Sequence, residues 1–519
     1  MLLLDWPERN GAKPVTTGTN QRIWRAASLE DPAFVSALDS CSNWRNDYPS
    51  IIESFVRLQL NDGAAHAIRM CQAGLDEAMQ AFVLRNEDGL AVRSLAAAVQ
   101  ERISALHVPS ECKLETESFV GTRTTPTTAA FRLASPHGTD ADPLWITDPE
   151  CAHAQLKAWE DYGCMETSAT KASARVSQLP SAPTQDKLFV LLGVTSELGP
   201  ARQIFRLPNT HVLGVSRKGS RQKELAQLFQ EIAPPSSSLR LCSANLLSDF
   251  FEIADWILQE ASTSEHSTKQ LVVCSLVYMD GEANVRATLA MDSIVQIILA
   301  KHSNVALSYL TSPATVYTIP PAAARFAELL HEEQPWTKRL LFQPQMTWSQ
   351  EPQGPTAPIL YNGIVHLQGP NYCLAKTLQQ WRCIVTAATD PSVTISAPHA
   401  PPSRTVSVTH NATAAAALNG QPWVAPALLP LDANVASALM TSILIHHLQE
   451  PPTMDKSNPF ALFWNGAVHG GMWRCPFTMG SISVPSYLAG RLMGRPPTAV
   501  ALGPWPRTEE EGSTIDNIV

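Results

Sequence analysis

The clearest pattern along the chain is an unbroken run of apolar residues, LFVLL, that follows Lys187 at residues 188–192. A short run of this kind predicts a strand buried on both faces, as in a parallel sheet covered by helices. Similar runs follow at residues 210–216, 238–242, 270–278, 304–310 and 392–397. Segments with helical spacing separate them, at residues 222–232, 250–261, 283–301 and 372–388. This repeated order predicts an α/β fold with a doubly wound parallel sheet.

The chain before residue 187 has a different pattern. Apolar residues recur every three or four positions, which predicts helices at residues 50–60, 63–84, 89–106 and 149–165. Residues 113–133 are rich in threonine and favour strand. We therefore predict a mainly α-helical N-terminal domain over residues 1–167. The Ser-, Thr-, Ala- and Pro-rich residues 168–186 lack a period and are predicted to form a linker.

Composition narrows the class of protein. A chain of 519 residues with 45% hydrophobic and 16% charged residues is typical of a globular protein with more than one domain. Its net charge of −9 disfavours nucleic acid as a partner. No apolar run reaches the roughly 18 residues that a membrane span needs, so we expect no transmembrane segment. Ten cysteines without a C-x-x-C pair argue against a structural zinc site and favour a reducing, cytoplasmic location.

The first strand of the predicted sheet ends in a turn bracketed by two glycines, GVTSELG, from Gly193 to Gly199. Glycines let the backbone approach a phosphate closely, and the N–H groups that open the helix predicted at residues 200–206 would favour an anion. Ligands of parallel sheets bind beyond the carboxyl ends of the strands. This turn is therefore a candidate nucleotide site.

A second candidate lies far downstream, where Tyr372 and Lys376 are four residues apart in a predicted helix and so share one face. A nearby ammonium group would lower the pKa of the phenol from about 10, towards a value at which it exchanges protons with a carbonyl or an alcohol. The Y-x-x-x-K spacing is common by chance. Here it gains weight because it follows five strands in βα order.

Together these segments resemble the short-chain dehydrogenase/reductase family. The turn is similar to the glycine-rich turn of that family, except that Glu197 replaces its middle glycine. Residues 398–405 resemble the loop that lies against the nicotinamide, residues 431–448 the late helix, and residues 460–471 the closing strand. The resemblance covers about residues 187–475 and implies a Rossmann-type sheet. It leaves an insertion at about residues 313–368, and a C-terminal extension with an acidic tail over residues 476–519.

The resemblance implies an NAD(P)H-dependent oxidoreductase of the carbonyl reductase or alcohol dehydrogenase type. Tyr372 would be the acid and base, and Lys376 would lower its pKa and hold the nicotinamide ribose. Ser312, or else Thr311, would bind the substrate oxygen as charge develops on it. No metal ligand is expected. Cofactor contacts are expected at Gly193, Thr195, Ser196, Leu198, Gly199, Arg217, Asn245, Pro398 and Thr405.

Three cations follow the second strand, namely Arg217, Lys218 and Arg221. They favour NADP(H) as the cofactor, and NAD(H) is the alternative. The substrate would be an unidentified, apolar small molecule, and a homo-oligomer is left open. The alternative interpretation is a catalytically inactive nucleotide sensor or scaffold with the same fold. Glu197 in the turn and the long separation of Ser312 from Tyr372 favour that alternative.

Overall fold

The computed structural model describes residues 2–105, 114–124, 133–134, 145–146, 149–176, 183–345, 359–365 and 367–496. Its strands are β1 (Leu3–Asp5), β2 (Arg9–Asn10), β3 (Lys13–Pro14), β4 (Val83–Arg85), β5 (Ala91–Ser94), β6 (Glu115–Val120), β7 (Leu133–Ala134), β8 (Trp145–Ile146), β9 (Lys187–Leu192), β10 (His211–Ser216), β11 (Ser238–Ser243), β12 (Gln270–Ser275), β13 (Val305–Tyr309), β14 (Val316–Ile319), β15 (Ile359–Asn362), β16 (Thr394–Ser396), β17 (Ser403–Arg404) and β18 (Leu431–Asp432).

The helices alternate with these strands over most of the chain. They are α1 (Thr17–Ala27), α2 (Pro32–Asp39), α3 (Trp44–Asn61), α4 (Ala64–Ala81), α5 (Leu95–Ser104), α6 (Pro149–Asp161), α7 (Thr167–Val176), α8 (Ala201–Ile204), α9 (Ser220–Ile232), α10 (Phe250–Ala261), α11 (Ala283–Lys301), α12 (Pro321–Glu333), α13 (Trp336–Leu341), α14 (Pro370–Thr389), α15 (Val406–Thr409), α16 (Ala412–Val424), α17 (Ala433–Gln449) and α18 (Met479–Met493), with 3₁₀ turns at Pro459–Phe463 and Met472–Arg474.

The centre of the molecule is a seven-stranded sheet with the order β16-β13-β12-β9-β10-β11-β6. All neighbouring pairs are parallel except β11 with β6, which is antiparallel. The chain reverses direction across the sheet at β9, because β10 and β11 lie on one side of it and β12, β13 and β16 on the other. The predicted α/β class with a mostly parallel sheet is confirmed, and the reversal point is where such sheets bind ligands.

Both faces of the sheet are covered, which explains the unbroken apolar runs. On one face Leu188, Val190 and Leu192 pack in a core with α10, α11 and α14. On the other face Phe189 and Leu191 pack with α8, α9 and α17. Every residue of β9 is therefore buried, and no position on it is left for the polar alternation of a half-exposed strand.

The N-terminal helices share the first of these cores. Helix α5 packs on α11, and α4 packs on α14. Gly74 of α4 lies against Trp381 of α14 so closely that a Cβ on the glycine would come within 2.2 Å of the ring. The division into residues 1–167, a linker and residues 187–475 stays a prediction, to which the structure adds that β6 pairs with β11 in the main sheet.

Several local predictions are wrong in their bounds. The helix predicted over residues 63–84 ends at Ala81 and is followed by β4, and β5 occupies the start of the helix predicted over residues 89–106. These strands join β1 in a small sheet. Helix α7 occupies the first half of the predicted linker. Residues 177–182, 346–358 and 497–519, which include a further part of that linker, part of the insertion and the acidic tail, lie outside the described residues.

The closing strand predicted at residues 460–471 is absent from the described structure. The segment forms the 3₁₀ turn Pro459–Phe463 and a loop instead. Gly466, Gly470 and Gly471 in that loop have φ of 73°, 58° and 80°. Positive φ at three glycines is incompatible with the extended backbone that a strand requires.

The predicted insertion folds as a unit at the edge of the molecule. Strands β14 and β15 pair antiparallel and bracket α12 and α13. Its core contains Tyr317, Ile319 and Tyr361 together with Trp473 and Phe477 from the C-terminal part.

Helix α11 bears on the question of membrane association. Among the described helices it alone is long and apolar enough to cross a bilayer, with a mean hydropathy of 1.2, but 72% of that window is buried inside the protein. A core helix packed on both flanks passes the same test. The expected lack of a transmembrane segment and the cytoplasmic location stay predictions.

Candidate functional site

A cavity of about 770 Å³ opens at the carboxyl ends of the parallel strands. It collects residues from the turn after β9, the ends of β10 to β13, the start of α14 and the loop around α15. Most of the residues predicted from the sequence line it, namely Gly193, Thr195, Ser196, Leu198, Arg217, Asn245, Thr311, Ser312, Tyr372, Lys376 and Thr405. Gly199 and Pro398 do not. Helix and strand order thus bring together residues that are more than 200 positions apart in the chain.

The turn after β9 requires glycine at its first position. Gly193 has a φ of 97°, and a Cβ there would lie 2.8 Å from Cγ2 of Val277. The N–H groups of Gly193 and Val194 donate to the carbonyl of Val215 at 3.0 and 3.1 Å, which fixes the turn to β10. The helix that follows is shorter than predicted, because α8 covers only Ala201–Ile204. A helix of four residues has a small dipole, so the anion attraction expected from it is weak.

Glu197, within the turn after β9, has a definite partner. Its Oε2 accepts a hydrogen bond of 2.7 Å from the backbone N–H of Val406, the first residue of α15. Thr405, just before it, shares a 2.9 Å hydrogen bond with Ser407. The carboxylate therefore connects the glycine turn to the loop on the opposite side of the cavity mouth. An anionic ligand bound between the two would meet this negative charge.

Tyr372 and Ser312 are in direct contact in the cavity. Gly369 caps α14 and Pro370 begins it, so Tyr372 lies in the first helical turn. Its hydroxyl donates to Ser312 Oγ at 2.8 Å, and that oxygen also accepts from the N–H of Ala314 at 3.1 Å. Burial raises the pKa of Tyr372 to about 12, although the contact with Ser312 acts in the opposite direction. The expected lowering of its pKa is therefore wrong.

Lys376 lies one helical turn further along α14. Its Nζ donates to the carbonyl of Leu310 at 3.1 Å and to Oε1 of Gln379 at 3.2 Å. Burial lowers the pKa of this ammonium to about 8. A buried ammonium needs oxygen acceptors, and the end of β13 provides one. Lys376 thus faces the cavity, but its hydrogen bonds go to these two oxygens rather than to the phenol.

The two candidates for the third catalytic group differ in their contacts. Thr311 is fully buried, and its hydroxyl donates to the carbonyl of Ala397 at 3.2 Å and lies 3.2 Å from Nδ1 of His399. Ser312 contacts Tyr372 instead. The geometry therefore favours Ser312 as the hydroxyl that acts beside the phenol. Thr311 joins β13 to the loop after β16, through a bridge with His399.

The end of β10 is cationic where it meets the cavity. Arg217 and Arg221 line the cavity and are exposed, whereas Lys218 is paired with Glu115 of β6. Among the described residues no carboxylate forms an ion pair with Arg217 or Arg221. Two guanidinium groups are therefore available to a phosphate at this end of the cavity.

Asn245 also lines the cavity, but two of its polar groups form hydrogen bonds within the protein. Its N–H donates to Asp249 Oδ2 at 2.8 Å, and its side-chain oxygen accepts from the N–H of Leu247 at 3.2 Å. These bonds shape the turn before α10. Its contribution to ligand binding would therefore come from the amide nitrogen.

Other polar groups on the cavity wall could hold a ligand, although sequence reasoning did not identify them. Ser216 Oγ and Gln421 Oε1 are buried without a hydrogen-bond partner among the described residues. Buried polar atoms are normally paired, so these atoms indicate places for ligand atoms or water. Ser216 ends β10, and this position beyond a predicted strand was the signal that could have found it. Gln421 lies in α16, and no local pattern connects it with the cavity.

Comparison with models of known protein families finds no match, and none of the curated proteins matches the chain. The class of the protein is therefore defined by its architecture, a mixed α/β fold with a mostly parallel, seven-stranded sheet.

Proposed function

We propose that this chain is an NADP(H)-dependent oxidoreductase with a Rossmann-type fold, similar to the short-chain dehydrogenases/reductases, that acts on a carbonyl or alcohol. The order of the six parallel strands supports it. Numbered along the chain from β9, they lie in the order 3-2-1-4-5-6, which is the order of dinucleotide-binding Rossmann sheets. The cavity volume of about 770 Å³ also falls within the usual range for small-molecule sites.

One observation carries the proposal. The hydroxyls of Tyr372 and Ser312 meet at 2.8 Å inside the cavity that the glycine turn and Lys376 also line. Two hydroxyls at this separation can hydrogen-bond to a single substrate oxygen placed between them.

Each residue then has a role that follows from its chemistry. Bound NADPH would supply the hydride. Tyr372, whose pKa of about 12 keeps it protonated at neutral pH, would donate its proton to the carbonyl oxygen. Ser312 would donate a hydrogen bond to the same oxygen as negative charge develops on it. Lys376 would place a cation one helical turn from the phenol and stabilise the phenolate that remains after the proton transfer.

The preference for NADP(H) rests on Arg217 and Arg221. Both line the cavity beyond β10, where the adenosine ribose lies in folds with this strand order. Guanidinium groups bind phosphate through paired hydrogen bonds. Ser216, with its unpartnered hydroxyl, lies beside them and would contact the ribose or its phosphate.

Cofactor binding is tested by titrating the full chain with NADPH and with NADH, followed by cofactor fluorescence. Replacing both Arg217 and Arg221 by alanine should weaken NADPH binding about tenfold or more, because charge-assisted bonds to the 2′-phosphate are lost. NADH binding should stay the same. The control is Lys223→Ala, an exposed cation of α9 outside the cavity lining. Equal losses for both cofactors would contradict the assignment of the 2′-phosphate to these arginines.

Catalysis is tested by following NADPH consumption with a panel of aldehydes and ketones. Tyr372→Phe should lower turnover by about 10²–10⁴-fold while NADPH still binds, because only the proton donor is removed. Tyr487→Phe in α18, outside the cavity lining, is the matched control.

A second function, nucleotide binding without catalysis, is favoured by the hydrogen bond of Glu197 to the N–H of Val406. This carboxylate lies where a reductase of this type has glycine. NADPH binding with no consumption of any carbonyl in the panel would support this second function over the first. A chain that binds neither cofactor would exclude both.

A further inference from the structure

A cluster of metal-ligating side chains lies at the other end of the sheet from the cavity. His211 is the first residue of β10, and Glu265 and His266 lie in the segment between α10 and β12. Because these strands are parallel, their starting residues meet at the edge opposite the carboxyl ends. The cluster therefore belongs to neither the proposed cofactor site nor the proposed catalytic group.

The separations within the cluster suit a tetrahedral metal ion. Nδ1 of His211 lies 3.3 Å from Oε1 of Glu265, and Nε2 of His266 lies 3.7 Å from the same oxygen. All three ligand atoms lie within 4.8 Å of one another. Zinc bonds of about 2.0–2.1 Å at tetrahedral angles separate their ligands by about 3.3 Å. A small contraction of the cluster would therefore give the bond lengths of a zinc site.

The hydrogen bonding of His266 provides an independent indication of a ligand. Its Nδ1 donates to the carbonyl of Glu260 at 3.1 Å, so its Nε2 carries a free lone pair. This is the arrangement that orients histidines bound to metals. The residue is 3% exposed, and Nε2 has no hydrogen-bond partner in the described part of the chain. A buried nitrogen acceptor without a partner is unfavourable, and a metal ion would satisfy it.

Two neighbouring groups compete with a metal at His211. Its Nδ1 lies 2.8 Å from Ser238 Oγ, whose hydroxyl proton would have to turn away. The charge of Lys269 acts on the same ring, although its Nζ is held by the carbonyl of Gln185. Burial, together with this charge, lowers the pKa of His211 and so favours the neutral form of the ring. Neutral imidazole is the form that binds metals.

We propose that His211, Glu265 and His266 form a binding site for a zinc-like divalent transition metal. The two histidines and one carboxylate provide three ligands, and the fourth position is open to water because the Glu265 side chain is 59% exposed. The site would pin the segment before β12 to the start of β10. This function is independent of the proposed oxidoreductase activity.

The test uses the full chain freed of metal by a chelator and titrated with Co²⁺, whose visible absorption is strong only in tetrahedral sites. One equivalent should bind, Zn²⁺ should displace it, and Zn²⁺ should raise the melting temperature of the protein. Glu265→Gln should weaken binding about tenfold or more, as should His211→Asn. The control, His410→Asn, removes an exposed histidine distant in sequence from the cluster.

Glu265→Gln is the decisive variant, because a largely exposed glutamate can be replaced without loss of the fold. Lys269→Gln provides a second measure, since removal of the competing charge should tighten metal binding. Absence of a tetrahedral Co²⁺ spectrum in the wild-type chain would overturn the proposal. Binding that is unchanged in both Glu265→Gln and His211→Asn would also overturn it, because the metal would then lie elsewhere.

Discussion

The local environment determines the charge state and the hydrogen bonds of three side chains at the site, those of Tyr372, Lys376 and Glu197. Residue type and spacing identify all three as candidates. Their electrostatic states depend on burial and on distant partners, since Lys376 bonds to the carbonyl of Leu310 and Glu197 to the N–H of Val406. Desolvation of the phenol outweighs its hydrogen bond with Ser312, so the pKa of Tyr372 is raised where spacing alone predicted a lower value.

Glu197→Gln tests whether this carboxylate opposes cofactor binding. Glutamine keeps the size and an oxygen acceptor for the N–H of Val406, but it removes the negative charge. If the pyrophosphate binds at the glycine turn, NADPH affinity should rise about fivefold, the effect of one like charge at short range in water. Calorimetric titration measures it, with the exposed Glu224→Gln of α9 as control. Unchanged affinity would show that Glu197 does not face the bound phosphates.

At the scale of elements, α14 is the part on which the site depends. It carries both Tyr372 and Lys376, and it is wedged between α11 and the N-terminal helix α4. Its predicted extent, residues 372–388, is close to the observed one, because helical periodicity is a local property. Its packing partner α4 could not be identified from the pattern, since contact between distant helices leaves no period in either sequence.

Gly74→Ala tests this packing. The new Cβ would lie 2.2 Å from the ring of Trp381, a buried side chain of α14 with little room to move. We expect a loss of about 1–3 kcal/mol in the free energy of unfolding, the usual cost of overpacking. Urea denaturation measures it. Gly18→Ala in α1 is the matched control, because the nearest atom is 3.6 Å away, and its stability should be unchanged or slightly higher.

Over the whole molecule, buried histidines make the free energy of unfolding depend on pH. Burial lowers the pKa of His399 to about 3 and the pKa values of His447 and His469 to about 4. In the unfolded chain each ring takes up a proton near pH 6.5. Between that pH and the folded pKa the unfolded state therefore binds more protons. Stability should fall as the pH falls from about 6.5 towards 4.

His447→Gln tests how much one buried histidine contributes to this loss of stability at low pH. The residue is 1% exposed, and its Nδ1 lies 3.0 Å from Ser396 Oγ of β16. At pH 5 the wild type should have lost about 2 kcal/mol through this ring relative to pH 7, and the variant should lose correspondingly less. Urea denaturation at several pH values gives the comparison. His410→Gln, at an exposed site, should keep the wild-type slope; an identical slope in His447→Gln would contradict the prediction.

The sequence by itself determined the parallel sheet and most of its helices. The helices at residues 250–261 and 283–301 were predicted with the observed bounds, and β9 begins at Lys187, the residue just before the apolar run. Burial of a strand on both faces and the periodicity of a helix depend on residues that are close together in the sequence. A local pattern therefore predicts them. The same strand order placed Tyr372, Ser312 and the glycine turn at one edge of the sheet.

Only the tertiary structure decided which distant residues meet. The antiparallel strand β6, the contact of Glu197 with Val406 and the cluster of His211 with Glu265 and His266 join parts of the chain 54 to more than 200 residues apart. Such contacts depend on how helices and loops pack in three dimensions, and no short-range period records them. The same holds for pKa values, because desolvation is set by everything that packs around a group.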